Sequence, residues 1–462
     1  MANQSGELFE KVVINDFCIG CGVCAGVCPR AYISMGIAQS GIYTPSISQK
    51  CELENCNLCV TSCPFWNQEQ NEDTIAGQQF AGNKNVLHDP AIGYFLNTYV
   101  GYSKVDSHRI NGASGGLTTW LLEQLLTNHQ VDYVVCVAPV SQADVFFRFA
   151  IVSDIEELRI SSRSCYYPVN LEQVLKFISK TPGNYAITGL PCYIKAIRLA
   201  MLRHKQIASR IKFLIGLVCG QMQNRYFVDY VNLMAGGDPT KIQEVVFRIK
   251  DENRPASDYG MRFLSDDPGI NKTVYSTEGS GKAWLLGYFR PEACNYCDDI
   301  FAEAADIAFM DAWLPEYKQD YRGTNLVIAR NQEIDEIIQN GARSGAIELS
   351  EIDKAKVIRS QKDVINKKRV ELAYRLFNVR NKEYIPKKRV QPDKSYSLTE
   401  KVLYQLKENV RLAGKKAIDR PGGSIYQRIE HDTILPKRAL KIATDLSHGK
   451  LPTLKRSKGK HG

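Results

Sequence analysis

CIGCGVCAGVCP, residues 18–29, sets Cys18, Cys21, Cys24 and Cys28 apart by two, two and three residues and follows the last with Pro29. A second run, CELENCNLCVTSCP at 51–64, sets Cys51, Cys56, Cys59 and Cys63 apart by four, two and three residues, again closed by a proline. Spacings this tight wrap three thiolates around three corners of one 4Fe-4S cube, while the fourth cysteine, turned away by its proline, reaches the other cube. The runs predict a bacterial-type two-cluster ferredoxin domain over 1–68. Cys18, Cys21, Cys24 and Cys63 would hold one cluster, and Cys51, Cys56, Cys59 and Cys28 the other. The wider spacing at 52–55 lengthens a loop beside the second cluster without removing a ligand. Structural zinc, which also uses Cys-x2-Cys pairs, is the competing reading; two complete runs each ending in Cys-Pro favour clusters. Gly20, Gly22 and Gly26 would let the backbone approach the sulfides, or simply loosen the loop.

The rest of the 462 residues must hold at least one further unit with its own core. Residues 69–97 are polar and aperiodic and read as a linker or strap. From 98 to 345, apolar runs such as DYVVCVAPV, NYAITGL, IKFLIGLVC and DIAFM alternate with amphipathic stretches, the pattern of an α/β core with a mixed sheet flanked by helices. Leu117, Trp120, Leu121 and Leu125 share one helix face, and Val174, Phe177 and Ile178 another. Residues 346–462 read as a helical, surface-lying extension with a disordered end.

That extension is basic. From residue 385 onward 19 Lys and Arg face 7 Asp and Glu, so this segment carries +12 of a chain whose net charge is +9. It could meet an acidic protein or an anionic membrane surface; no nucleic-acid recognition motif accompanies the charge, which a solvated tail would also explain. No apolar stretch is long enough to span a membrane, and 14 cysteines without a secretion signal point to metal or redox use in the cytoplasm rather than to disulfides. No Gly-x-Gly-x-x-Gly follows a strand and no Walker loop occurs, which disfavours nicotinamide and nucleotide triphosphate sites.

Four further cysteines lie at the ends of core elements. Cys192 follows Pro191 at a helix start, Cys219 ends a strand, and Cys294 and Cys297 form a Cys-x2-Cys pair; from the residues alone these are ligands, or buried thiols plus a zinc half-site. Cys136, mid-strand, reads as core. Ser114-Gly115-Gly116 opens a helix and is either an ordinary cap or an anion cradle of free N–H groups. Arg163 could pair with phosphate or with a surface acid, and Lys195 could serve a bound cofactor or lie in solvent. Trp313 could contact a ring system or pack in the core.

The order Ala113-Ser114-Gly115-Gly116-Leu117, Gly189-Leu190-Pro191-Cys192, Gly216-Leu217-Val218-Cys219-Gly220, Cys294-Asn295-Tyr296-Cys297, Ala305-Asp306-Ile307 and Asp311-Ala312-Trp313 resembles the beta-subunit family of coenzyme F-420-reducing hydrogenase. That family includes 7-hydroxymethyl chlorophyll a reductase and relatives encoded near bacterial polysaccharide genes. The resemblance covers about residues 98–340. It implies a flavoprotein that binds FAD beside a further 4Fe-4S cluster on Cys192, Cys219, Cys294 and Cys297. It also implies FAD contacts at Ser114, Gly115, Gly116, Arg163, Lys195 and Asp311, with Cys165 nearby. Electrons would pass between the clusters, FAD and a redox carrier protein or small conjugated acceptor such as a deazaflavin, with a polysaccharide-related role as a further implication. The catalytic residues stay unassigned. The alternative is an electron-carrying subunit without a substrate site, docked to a partner enzyme through its basic end.

Overall fold

The computed structural model describes residues 4–48, 51, 56–66, 69–105, 107–142, 145–267, 269, 271–380 and 383–448. The widened spacing at 52–55 and the chain end from 449 onward, expected to be disordered, lie outside the described residues. Fifteen strands, β1 to β15, appear among them. β1 (Ile33–Ile37) and β2 (Tyr43–Ile47) form the antiparallel hairpin of the ferredoxin domain. β3 (Leu87–Asp89) and β4 (Gly93–Phe95) form a second short hairpin.

The core strands are β5 (Asn97–Ser103), β6 (Tyr133–Gln142), β7 (Val145–Val152), β8 (Tyr185–Gly189) and β9 (Ile211–Leu217). A smaller antiparallel sheet of β10 (Glu244–Ile249), β11 (Gly260–Leu264) and β12 (Lys272–Tyr275) follows, then β13 (Ile307–Asp311), β14 (Asn325–Ala329) and β15 (Ile347–Glu351). The large sheet runs in the order β15-β5-β14-β13-β9-β8-β6-β7. Its middle, β13-β9-β8-β6, is parallel and both margins are antiparallel, so the mixed α/β sheet expected from the alternating pattern is present.

Strand alternation sends side chains to two cores. Phe213 and Ile215 face the helix Leu117–Thr127, whose Leu117, Trp120, Leu121 and Leu125 are all buried as their spacing implies. Leu214 and Ile187 face the helix Pro191–Met201, in the same core that holds Val23, Val27 and Val60 of the ferredoxin domain. Val174 and Ile178 are buried there too, but Phe177 of the same helix is 39% exposed and rests edge-on against Tyr133 and Tyr185. The ferredoxin domain is thus packed against the sheet's helices. Gly22, with φ +74°, and Gly26 lie under the helix Glu172–Lys180, where a β-carbon would come 3.0 Å from Asn170 and 2.7 Å from Leu175, so their small size serves this docking as well as the loop.

The 69–97 segment, read as linker or strap, carries a helix, Glu72–Phe80, closed by an Asn71–Thr74 capping box. Its polarity hides a buried ion pair, Glu72 to Lys195 at 3.1 Å. The extension is mostly helical, but only in part surface-lying. Val357, Leu372 and Leu376 are buried in the ferredoxin-side core, while Val410, Ala417, Ile425 and Ile429 pack against the small sheet.

One contact gives a stability test. Gly341, on the helix Gln332–Arg343, lies so close to the buried Trp120 that a β-carbon would sit 2.2 Å from its ring. Gly341→Ala should therefore lower the denaturation midpoint by an amount equivalent to about 1–3 kcal/mol, despite alanine's better helix propensity. An unchanged midpoint would mean that the indole moves aside freely.

Candidate functional site

The ferredoxin cysteines gather in two sets that cross between the runs. Cys18, Cys21, Cys24 and Cys63 are electrostatic neighbours, and Cys59 shares its surroundings with Cys56, Cys28 and Cys51. Cys28, Cys51, Cys56 and Cys59 line a cavity of about 370 Å³ of free space, walled by Tyr32, Ile33, Ile47 and Leu58. Burial pushes the Cys18 thiol up to about 11 and those of Cys59 and Cys63 to about 12. Buried thiols of this kind ionise when a metal binds them. Gly20 N–H donates to Cys18 Sγ at 3.4 Å, the kind of contact that offsets charge on a ligand sulfur.

The third set assembles at the carboxyl edge of the parallel strands, where open α/β sheets place their ligands. Cys192 follows β8 in the first turn of the helix Pro191–Met201, and Cys219 follows β9. Cys294 sits in a 3-10 turn, Glu292–Tyr296, and Cys297 comes just after it. Cys297, Cys219 and Cys294 all act on Cys192. Met222 N–H donates to Cys294 Sγ at 3.4 Å.

One helix joins the first and third sets. Tyr193, next to Cys192, has Cys192, Cys21 and Cys18 among its charged neighbours and donates its hydroxyl to Val169 O at 2.7 Å. Lys195, two residues further, lies beside Cys63 and is buried in its pair with Glu72.

Sequence reasoning missed the cation supplied by the extension. Lys368, 3% exposed, places Nζ 3.2 Å from Cys297 Sγ and donates to Asp299 O at 2.8 Å. It stands in a π-helical turn, Asn366–Val370, a local widening that recurs at functional sites. The signal was present: Lys368, Leu372 and Arg375 share one stripe of the helical pattern, and a Lys and an Arg on a buried stripe need partners inside. Arg375 finds Asn295 O at 2.7 Å, between Cys294 and Cys297.

The remaining predicted positions surround the start of the small sheet. Ser114 donates its hydroxyl to Thr324 O at 2.7 Å, and Asn325 Oδ1 takes the N–H of Leu117 at 3.1 Å. Gly116, at φ +79°, packs on the His108 carbonyl, and a β-carbon on Gly115 would meet Asn325 N at 2.8 Å. These glycines thus have an internal packing reason. Arg163 is exposed and reaches Asn111 Oδ1 at 3.4 Å. Asp311 ends β13 and pairs with Arg248 at 2.6 Å. Cys136 is buried core, and Cys165 is half-buried with its thiol toward Tyr167 O at 3.6 Å.

Arg248 was not foreseen, and it organises this region. It occupies a bulge of β10 with φ +61°, and its guanidinium stacks 3.8 Å from the Tyr259 ring centre while donating to the Tyr166 hydroxyl at 3.1 Å. Trp313 lies 5.6 Å from it. Arg248, Tyr166, Phe247, Tyr259 and Trp284 line an aromatic cavity. Lys250 ties this cavity to the 114–116 loop, donating to Ser114 O at 2.7 Å, Arg322 O at 2.6 Å and the Arg109 carbonyl.

Comparison with known proteins places these elements. Residues 98–176 match the profile for the N-terminal part of the coenzyme F420 hydrogenase/dehydrogenase beta subunit, and residues 183–355 match the profile for its C terminus, together more than half of the chain. Residues 11–31 match a 4Fe-4S binding domain. A coenzyme F420-dependent sulfite reductase of Methanocaldococcus jannaschii is 23% identical over 370 residues, 76% of this chain and 50% of that protein, so this chain spans about half the length of that relative. An uncharacterized protein of the same organism is 26% identical over 268 residues, 56% of this chain and 91% of its own length. A chain of the F420-reducing NiFe hydrogenase complex of Methanosarcina barkeri superposes with a TM-score of 0.49 at 16% identity, covering 65% of this chain and 99% of that one. No helix among the described residues is long and apolar enough to cross a membrane.

Proposed function

The chain belongs to the coenzyme F420 hydrogenase/dehydrogenase beta-subunit family and carries a 4Fe-4S binding domain, and on that premise we propose that it is an iron-sulfur flavoprotein oxidoreductase. In this reading it moves electrons between ferredoxin-type clusters, FAD and a soluble acceptor, a deazaflavin or another small conjugated molecule. The observation that carries it is the meeting of Cys192, Cys219, Cys294 and Cys297 at the carboxyl edge of the sheet, joined by Tyr193 to Cys21 and Cys18.

The residues fit a flavin best at the aromatic cavity. Tyr166, Tyr259 and Trp284 offer faces for a planar ring, and Arg248, stacked on Tyr259, offers a cation beside it. Arg109, paired with Asp320, and Lys250, which burial pushes down to about 7, stand beside the 114–116 loop, where a pyrophosphate would be received alongside the remaining N–H groups of the helix start. Asp311 acts through Arg248, fixing the guanidinium rather than touching the ring. Bound flavin would supply the exchange between two-electron and one-electron chemistry. The protein's own part is to orient the ring, keep water from it and hold cluster ligands at the sheet edge.

A carrier reading, without a substrate site, has one observation behind it. The helix Ile434–Ser447 exposes Leu435 and Leu446 beside Arg438 and Lys441, a surface suited to a partner, and the sulfite reductase relative has as much chain again. Iron, acid-labile sulfide and released flavin per chain, on protein purified without oxygen, distinguish the two. About twelve irons and one FAD are the expected result. Cys192→Ser should then retain about eight irons and lose acceptor reduction. About eight irons and no flavin in the unaltered chain would remove the core site and leave the carrier reading.

A further inference from the structure

We propose that Lys368 sets the reduction potential of the third cysteine site, raising it above the value the four thiolates alone would give. The inference rests on the reading that Cys192, Cys219, Cys294 and Cys297 hold a 4Fe-4S cluster. It concerns a residue beyond 355, where the match to the family's C-terminal profile stops, and therefore a property this chain's own extension supplies.

The geometry is specific. The π-helical turn Asn366–Val370 brings a lysine to the inner side of the extension, 3.2 Å from Cys297 Sγ. The carbonyl of Asp299 accepts a second N–H of the ammonium at 2.8 Å and fixes it in place. Among the described residues Lys368 forms no ion pair with a carboxylate, so its charge is directed at sulfur. Lys195, beside Cys63 of the first set, differs: it is paired with Glu72 at 3.1 Å. Around the third site Arg290 is answered by Glu408 at 3.8 Å, and Lys367 turns to Gln221 and the face of Trp284, 5.8 Å from the ring centre. Lys368 is a cation in direct contact with a ligand sulfur.

Reduction adds one electron to the cluster, breaks no bond, and leaves the lysine protonated in both states. The added negative charge is shared by the ligand sulfurs, and a cation at contact distance in a buried site stabilises the reduced form more than the oxidised one. A raised potential favours residence of the electron at the site nearest the aromatic cavity.

The test is an EPR-monitored redox titration of the full chain, purified without oxygen, as wild type, Lys368→Gln and Lys368→Arg. With about twelve irons in all three, Lys368→Gln should move one transition to lower potential by a tenfold change in its reduction equilibrium, which is about 59 mV for one electron, and leave the other two in place. Lys368→Arg, which keeps the charge, should stay within about threefold of wild type. A full iron count with no transition moved by Lys368→Gln overturns the inference. Loss of about four irons from Lys368→Gln but not from Lys368→Arg also overturns it, because the lysine would then retain the cluster rather than tune it. About eight irons in wild type would overturn the third-cluster reading itself before any variant is compared.

Discussion

Arg389→Ala should cost about 3–5 kcal/mol of stability and release the C-terminal extension from the sheet core and the 69–97 segment, the range for removing one partner of a buried ion pair. Arg389 donates from Nη1 to Glu303 Oε2 at 2.7 Å and from Nη2 to Glu303 Oε1 at 2.9 Å, a two-point clasp on a carboxylate that is itself almost fully enclosed. Its backbone N–H goes to Asp298 Oδ2 at 2.9 Å, and Nη1 also reaches Asp73 at 2.7 Å. Glu72 lies 3.7 Å away. Alanine would leave Glu303, Asp298 and Glu72 facing one another with less positive charge between them. Nearby, Tyr384 donates to Phe65 O at 2.6 Å, so the same stretch is also pinned to the residue after Pro64. Arg389→Lys keeps a point charge but cannot make the two-point contact, and should fall between alanine and wild type. Denaturant titration under nitrogen reads the stability, and limited proteolysis reads the release of residues beyond 380. A loss below about 1 kcal/mol would mean that solvent or Lys388 takes over the carboxylates.

That clasp also marks the limit of what the sequence reveals. The grouping of the ferredoxin cysteines was legible because it is local: the first three cysteines of each run sit close together in the chain, and only the fourth joins the neighbours of the other run. The strands of the large sheet were legible because DYVVCVAPV, NYAITGL, IKFLIGLVC and DIAFM are continuous apolar runs. Their order was not, since nothing local puts β9 between β8 and β13. The 69–97 segment and the extension looked solvent-facing because they are polar. Their buried charges are matched by partners far along the chain, Glu72 by Lys195 and Arg389 by Glu303, and no local pattern announces such a pairing. The Ser114 loop shows a different limit. A motif that suits phosphate is also required by the close approach of Asn325 and His108, and spacing cannot separate those causes. Arg248 could not be seen at all, because its place depends on a bulge that only pairing with β11 creates.

Arg248→Ala should remove flavin from the purified protein and lower acceptor reduction by about 100-fold or more, while leaving the iron count near twelve. The backbone argues for a role at this position. A non-glycine residue at φ +61° costs of order 1–3 kcal/mol, and such strain persists where the surroundings hold it for a purpose. Here the bulge turns the arginine toward Asp311, at 2.6 Å, and onto the Tyr259 ring, so the side chain is fixed before any ligand arrives. Pre-ordering of that kind lowers the cost of binding a flat, electron-rich group beside it. Part of the loss would come from leaving Asp311 without its partner, and Asp311→Asn separates the two effects: it keeps the guanidinium in the cavity but loosens it. The asparagine variant should therefore retain flavin, bound more weakly, where the alanine variant retains none. Arg248→Lys keeps the charge without the planar stack, and its flavin content reports how much of the site depends on stacking. Full flavin and undiminished acceptor reduction in Arg248→Ala would move the flavin away from the aromatic cavity and leave the strained arginine with a structural task alone.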